Sequence, residues 1–167
     1  MNTIDIVIPV LNEELALPKC IVALKDYLHE NINQPWTITI VDNGSEDKTL
    51  SIAEDLGTDD DQIHALSLPT KGRGRALRSA WLRSSADIVC YMDVDLSTQL
   101  TALPRLLKAI ACGYDIAIGS RLASESKVTR SFRRQAISRL YNAILRLVFG
   151  FKITDAQCGF KALSKNA

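Results

Sequence analysis

Two carboxylates separated by one residue, Asp93 and Asp95, follow an apolar run in the segment Tyr91-Met92-Asp93-Val94-Asp95-Leu96-Ser97. On an extended segment, side chains at i and i+2 point to the same side. Two like charges held there are costly unless a cation lies between them. A hard divalent ion meets that need, because it takes one or two protein carboxylates and completes its shell with water and phosphate oxygens. The D-x-D spacing alone is weak evidence. Its weight comes from position, at the exit of a buried strand.

A second group, Lys71-Gly72-Arg73-Gly74-Arg75, stands immediately before a helical pattern. Cations at a helix N-terminus are unfavourable by roughly 0.3–1 kcal/mol each. Three of them make sense if an anion is taken up by glycine-freed backbone and guanidinium groups. The competing reading is a solvated basic loop. Asp42 ends an apolar strand, where a carboxylate has no packing role but can accept a hydrogen bond from a ribose or base. Around these lie Pro9-Val10-Leu11-Asn12-Glu13-Glu14 and Asn43-Gly44-Ser45-Glu46-Asp47. Here Asn12 and Ser45 read as helix caps and Gly44 as a turn residue.

All of these segments must be positioned by the elements that precede them. Short apolar runs predict strands over 4–10, 36–42, 62–68, 87–93 and 114–119. Helical patterns lie near 19–30, 47–56, 73–84 and 102–112, with Thr101 as an N-cap for the last and Pro104 in its first turn. A longer helix is expected over about 130–148. This alternation predicts β-α-β units and an α/β fold with a mostly parallel sheet and helices on both faces. Ligands of such sheets bind beyond the carboxyl ends of the strands, where the four segments fall.

The 167 residues suit a single domain, 1–167. Apolar residues make up 47% and charged residues 23%, an ordinary globular composition. The formal charge of +1 conceals a division along the chain. Residues 1–96 carry 16 acids and 8 bases, whereas 97–167 carry 3 acids and 12 bases. The basic second half points to an anionic partner on that side. Cys20, Cys90, Cys112 and Cys158 form no CxxC pair and no zinc-ligand spacing, so reduced thiols in a cytosolic compartment are expected. The N-terminus enters a strand without the basic region of a signal peptide. No stretch reaches the roughly 18 unbroken apolar residues of a membrane span.

In order along the chain, these motifs resemble family 2 glycosyltransferases of the GT-A (Rossmann-like) fold, closest to the dolichol-phosphate and polyprenol-phosphate mannosyl- or glucosyltransferases. The resemblance is carried by Ile8–Glu13, Val41–Ser45, Gly72-Arg73-Gly74 with Ala76-Leu77-Arg78, and Met92–Ser97. It continues through Gly119-Ser120-Arg121, Phe132-Arg133-Arg134 with Ser138, and Asp155–Lys161. It implies that Pro9, Leu11, Glu13 and Asp42 bind the nucleoside, with Lys71, Gly72 and Arg73 nearby. Asp93 and Asp95 would meet the diphosphate through Mg²⁺ or Mn²⁺, Asp95 more directly. Arg121, Arg134 and Ser138 would grip a lipid phosphate. Residues 1–96 would then form the nucleotide-sugar-binding half and 97–167 the acceptor-binding half. Three departures stand out. Leu11 replaces a common Tyr, Asn43 replaces a common second acid, and relatives continue past Lys161, so a C-terminally truncated domain is expected.

The implied reaction is inverting displacement of a hexose from a UDP- or GDP-sugar onto a polyprenyl or dolichyl phosphate. A hydroxyl acceptor needs a general base, yet downstream of Asp95 only Asp115, Glu125 and Asp155 are acidic and no histidine occurs. A phosphate acceptor is already ionised and needs only cations to orient it. The expected location is cytoplasmic, peripheral at the cytoplasmic face of a membrane. Ile137, Leu140, Ile144, Leu145 and Val148 read first as a core-packing helix face and second as a membrane-surface face. Alternatives are a family 2 enzyme with a saccharide hydroxyl acceptor and a non-catalytic nucleotide-sugar-binding domain. A nucleotidylyltransferase would want a glycine-rich loop after the first strand, and 9–14 contains no glycine. No nucleic-acid partner is expected.

Overall fold

The run Ile4–Val10 (β1) is buried at all seven positions, as expected of a central strand covered on both faces. The computed structural model describes residues 2–119 and 158–167. In those residues β1 is followed by α1 (Leu17–Asn31), β2 (Trp36–Asp42), α2 (Thr49–Asp59), β3 (Ile63–Ser67) and α3 (Arg73–Arg83). Then come β4 (Ile88–Met92), a 3₁₀ turn (Leu100–Ala102), α4 (Leu103–Ala111), β5 (Ile116–Ile118) and β6 (Phe160–Ser164).

The described residues form one six-stranded sheet of order β3-β2-β1-β4-β6-β5. The β1–β2, β2–β3 and β1–β4 pairs are parallel, and β6 runs antiparallel to both neighbours. The chain leaves β1 toward β2 and β3 on one side and returns to β4 on the other. That reversal opens a crevice between the carboxyl ends of β1 and β4, which is where ligands bind in sheets of this kind.

Period-two alternation assigns the two faces. Ile4, Ile6 and Ile8 join Ile38, Ile40, Cys90 and Met92 under Leu17, Ile21, Leu24 and Leu28 of α1, Ala53 of α2, and Leu103 and Leu107 of α4. On the opposite face Val7, Val41 and Tyr91 pack against Ala76, Leu77 and Ala80 of α3. Helices therefore lie on both faces, as the alternation predicts.

The predicted bounds of β1 and β2 match, while β5 shrinks from 114–119 to Ile116–Ile118. Thr101 is not the cap of α4. It lies inside the 3₁₀ turn, and Ala102 occupies the cap without a side-chain bond, with Pro104 in the first turn as predicted. The antiparallel strand β6 is not foreseen from the sequence, because five residues containing Lys161 give too short an alternation to read. The expected helix over 130–148, together with Arg121, Arg134, Ser138 and Asp155, lies outside the described residues. Among the described residues, no helix is long and apolar enough to cross a membrane.

Candidate active site

The loops after β1 and β2 are fastened to each other before they can hold anything else. The Asn12 amide donates to Ser45 Oγ at 2.9 Å, and Asn12 Oδ1 accepts from the Glu46 amide at 2.8 Å. The Glu13 amide donates to Thr49 Oγ1 at 2.7 Å, and the Lys48 amide to Glu14 Oε2 at 3.0 Å. Asn12 adopts φ 56°, a conformation asparagine tolerates better than most residues. Neither Asn12 nor Ser45 caps a helix as expected; each bridges two loops instead. Asp47 completes the join, accepting from the Thr49 hydroxyl and amide and from the Glu14 amide. Desolvation works to raise its carboxyl, but those hydrogen bonds outweigh it and hold the group below its ordinary range.

Asp42 sits beneath this layer. Only 2% exposed, it accepts from the amides of Gly44 at 3.1 Å and Ser45 at 3.2 Å. Its carboxylate therefore shapes the turn, and it is not among the residues lining the crevice. The next residue does line it. Asn43 is 4% exposed, its backbone amide is tied to the Val10 carbonyl at 3.0 Å, and its side-chain Oδ1 has no hydrogen-bond partner among the described residues. A buried oxygen left unpaired beside an open crevice can accept a hydrogen bond from a donor in that crevice. Sequence reasoning gave Asn43 no role; the available signal was its place directly after the strand-end acid.

At β4 the strand ends at Met92, one residue before the first carboxylate. The Leu96 amide donates to the Asp93 carbonyl at 3.1 Å, and Leu96 takes φ 48°. The D-x-D segment is thus a turn and not an extended run, so the two carboxylates meet the crevice from different depths. Asp93 is half-buried. Its Oδ1 accepts from the Tyr91 hydroxyl at 2.6 Å and lies 3.4 Å from Arg73 Nη1. Asp95 is exposed, with Oδ1 accepting from the Ser97 amide at 2.9 Å. Burial pushes the Tyr91 phenol up, and the hydrogen bond to Asp93 and its charge push it further, so Tyr91 stays a donor. Burial, followed by the charge of Asp95, pushes the Cys20 thiol up to about 12.

The basic loop divides among three tasks. Gly72 occupies the N-cap of α3 with φ 156°, a conformation side-chain-bearing residues rarely adopt. Arg73 faces the crevice. Lys71 instead pairs with Glu46 at 3.0 Å on the surface, and Arg75 donates to Thr70.

The resulting cavity, about 640 Å³, is lined by Pro9, Leu11, Glu13, Asn43, Gly72, Arg73, Asp93 and Asp95, with Val10, Val94 and Ser97. Seven residues singled out from sequence therefore meet in one place. Asp42 and Lys71 lie just outside it, and Arg121, Arg134 and Ser138 lie outside the described residues. Among the described residues no group of three or more His, Cys, Asp or Glu side chains forms a metal cage. The donor set nonetheless fits Mg²⁺ or Mn²⁺ held by one or two carboxylates and sharing its remaining positions with phosphate and water.

The chain is 32% identical to the glycosyltransferase AglD of Haloferax volcanii, over 98% of this chain and 27% of that protein. It is 32% identical to the polyprenol monophosphomannose synthase of Mycolicibacterium smegmatis, over 94% of this chain and 60% of that one. The chain thus spans less than two thirds of either relative. Its fold matches the glucosyl-3-phosphoglycerate synthase of Mycobacterium tuberculosis, solved with Mn²⁺ and uridine-diphosphate-glucose. That match has a TM-score of 0.70 and 24% identity, covering 99% of this chain and 57% of that one. The shared architecture is the GT-A fold. The family profile described as Glycosyl transferase family 2 matches residues 5–167, and the chain belongs to that family.

Proposed function

We propose that this domain moves a hexose from a nucleotide-diphosphate sugar to a polyprenyl or dolichyl phosphate, with inversion at the anomeric carbon. The observation that carries the reading is the meeting of Asp93, Asp95 and Arg73 in one open cavity at the β1–β4 switch point. Two carboxylates and a guanidinium suit a metal–diphosphate complex better than any uncharged ligand. The polyprenol and dolichyl-phosphate transferases among the relatives support the acceptor class.

In this reading Pro9, Leu11, Glu13 and Asn43 form the nucleoside wall, with Asp42 holding the loop that presents Asn43. Asp95 and the more buried Asp93 would hold the metal. Bound Mg²⁺ or Mn²⁺ supplies Lewis-acid compensation for the charge of the leaving diphosphate. Arg73, already beside Asp93, offers the diphosphate a second cation, and Lys71 adds positive potential from the rim. An oxygen of the acceptor phosphate attacks the anomeric carbon as the bond to the diphosphate breaks on the opposite face. No general base is required, because the attacking group is already an anion. Arg121, Arg134 and Ser138 hold that anion in line and act through positioning and electrostatics. Residues 1–96 serve the donor and 97–167 the acceptor, and the domain works at the cytoplasmic face of a membrane.

Transfer from a panel of UDP- and GDP-hexoses, offered polyprenyl phosphate in detergent or soluble sugars, tests this. Labelled product in the lipid fraction with one donor is expected, and Arg134→Ala should abolish it while leaving donor binding intact. Transfer to soluble sugars alone would assign a hydroxyl acceptor instead.

A further inference from the structure

We infer that Gly159 is a positioning residue for the carboxylate pair: its missing side chain is the seat in which Asp93 lies. Met92 pairs with Phe160 across the antiparallel β4–β6 ladder, so one further step sets Asp93 opposite Gly159. Directly opposed residues project to the same face and compete for the same space. A Cβ built on Gly159 would stand 1.7 Å from Asp93 Oδ2, 2.6 Å from its Cγ and 3.2 Å from Oδ1. Among the described residues nothing else comes as close; the carboxylate itself occupies the side-chain position.

The seat determines what Asp93 touches. Folded over the glycine, the carboxylate keeps Oδ1 at 2.6 Å from the Tyr91 hydroxyl and within reach of Arg73. Two pairs back along the ladder Tyr91 faces Lys161, whose ammonium lies 6.0 Å from the ring centroid. Gly159, which directly precedes β6 and does not itself line the crevice, therefore governs it from behind. Any side chain at 159 must expel the carboxylate from its place between Tyr91 and Arg73. Asp93 would then present a different oxygen, at a different depth, to a cation shared with Asp95. This last consequence rests on the proposed role of the carboxylate pair; the steric coupling does not.

The test is a double-mutant cycle over Gly159→Ala and Asp93→Ala, read first by urea unfolding, with no metal or ligand present. Gly159→Ala should destabilise the otherwise unaltered protein clearly and become nearly neutral once Asp93 is alanine. If Gly159→Ala alone fails to fold, recovery of a folded protein in the double variant supports the coupling. An equal effect in both backgrounds, or failure of both to fold, overturns it. The second readout is calorimetric binding of UDP and GDP, each with and without Mn²⁺. Gly159→Ala should cut the metal-dependent part of binding by roughly tenfold or more, the usual cost of disturbing a ligand's support, and leave metal-free binding unchanged. Unchanged metal-dependent binding in a destabilised Gly159→Ala would reduce the glycine to a packing role and overturn the positioning claim. Coupling in stability, with no metal response in the unaltered protein, would instead strike only the proposed function.

Discussion

Arg73 Nη1 lies 3.4 Å from Asp93 Oδ1, joining the first residue of α3 to the turn that follows β4 across the mouth of the crevice. The arginine side chain is 69% exposed, so the pair adds little to stability, on the order of 0–1 kcal/mol. Its position is explained better by an anionic ligand. Arg73→Ala should leave the unfolding midpoint almost unchanged and weaken nucleoside-diphosphate binding by roughly tenfold, about 1.4 kcal/mol. Thermal unfolding and calorimetry on one preparation check both parts. A large loss of stability with unaltered binding would make the arginine structural.

Asn43 gives a second prediction. Its Oδ1 is buried without a partner among the described residues, so removing that oxygen removes a desolvation cost and should not unfold the protein. Asn43→Ala should retain its fold and lose affinity for the preferred nucleotide by about tenfold, one hydrogen bond's worth. Comparing UDP with GDP shows whether the loss falls on one base. Equal, small losses for both would remove the residue from base recognition.

The fastening of the two loops predicts an acid response. Hydrogen bonds hold the Asp47 carboxyl below its ordinary value of 3.8, so its stabilisation is complete above that value. It is lost as the pH falls through the lower folded value. Asp47→Asn should therefore be less stable than the original at pH 7, with the difference shrinking below about pH 4. Urea titrations across pH 7 to 2 read this. A gap independent of pH would mean that the charge of Asp47 contributes nothing.

Thiol labelling checks the packing of the sheet. Burial, then the charge of Asp5, pushes the Cys90 thiol up to about 12, and Cys20 reaches a similar value. Cys112 is exposed at the end of α4. At pH 8 an alkylating reagent should modify Cys112 rapidly and reach Cys20 and Cys90 only after denaturation. Rapid labelling of Cys90 in the folded protein would contradict the central placement of β4.

The strands central to the sheet were legible because each carries a long apolar run, and β1 and β2 follow the predicted bounds residue for residue. Site residues directly after those strands were legible for the same reason: strand order fixes which loops converge. What escaped depended on pairing across the chain. β6 is five residues long and means little until Met92 finds Phe160. The turn geometry of Asp93–Leu96 was hidden because the acids read equally well as a strand's continuation. The difference between Asp42 and Asn43 is one of side-chain direction at a strand end. There the first side chain turns under the Gly44–Ser45 backbone and the second toward the crevice.

The central claim is that Asp95 and Asp93 take a divalent ion together with a nucleoside diphosphate. Calorimetric titration of UDP and GDP into the protein and into Asp95→Ala, each with and without Mn²⁺, tests it directly. One nucleotide should bind at least roughly tenfold more tightly to the unaltered protein with the metal, and Asp95→Ala should lose that gain while its unfolding midpoint stays the same. Binding that ignores Mn²⁺ for both nucleotides, or an Asp95→Ala protein that keeps the full metal response, would contradict the account.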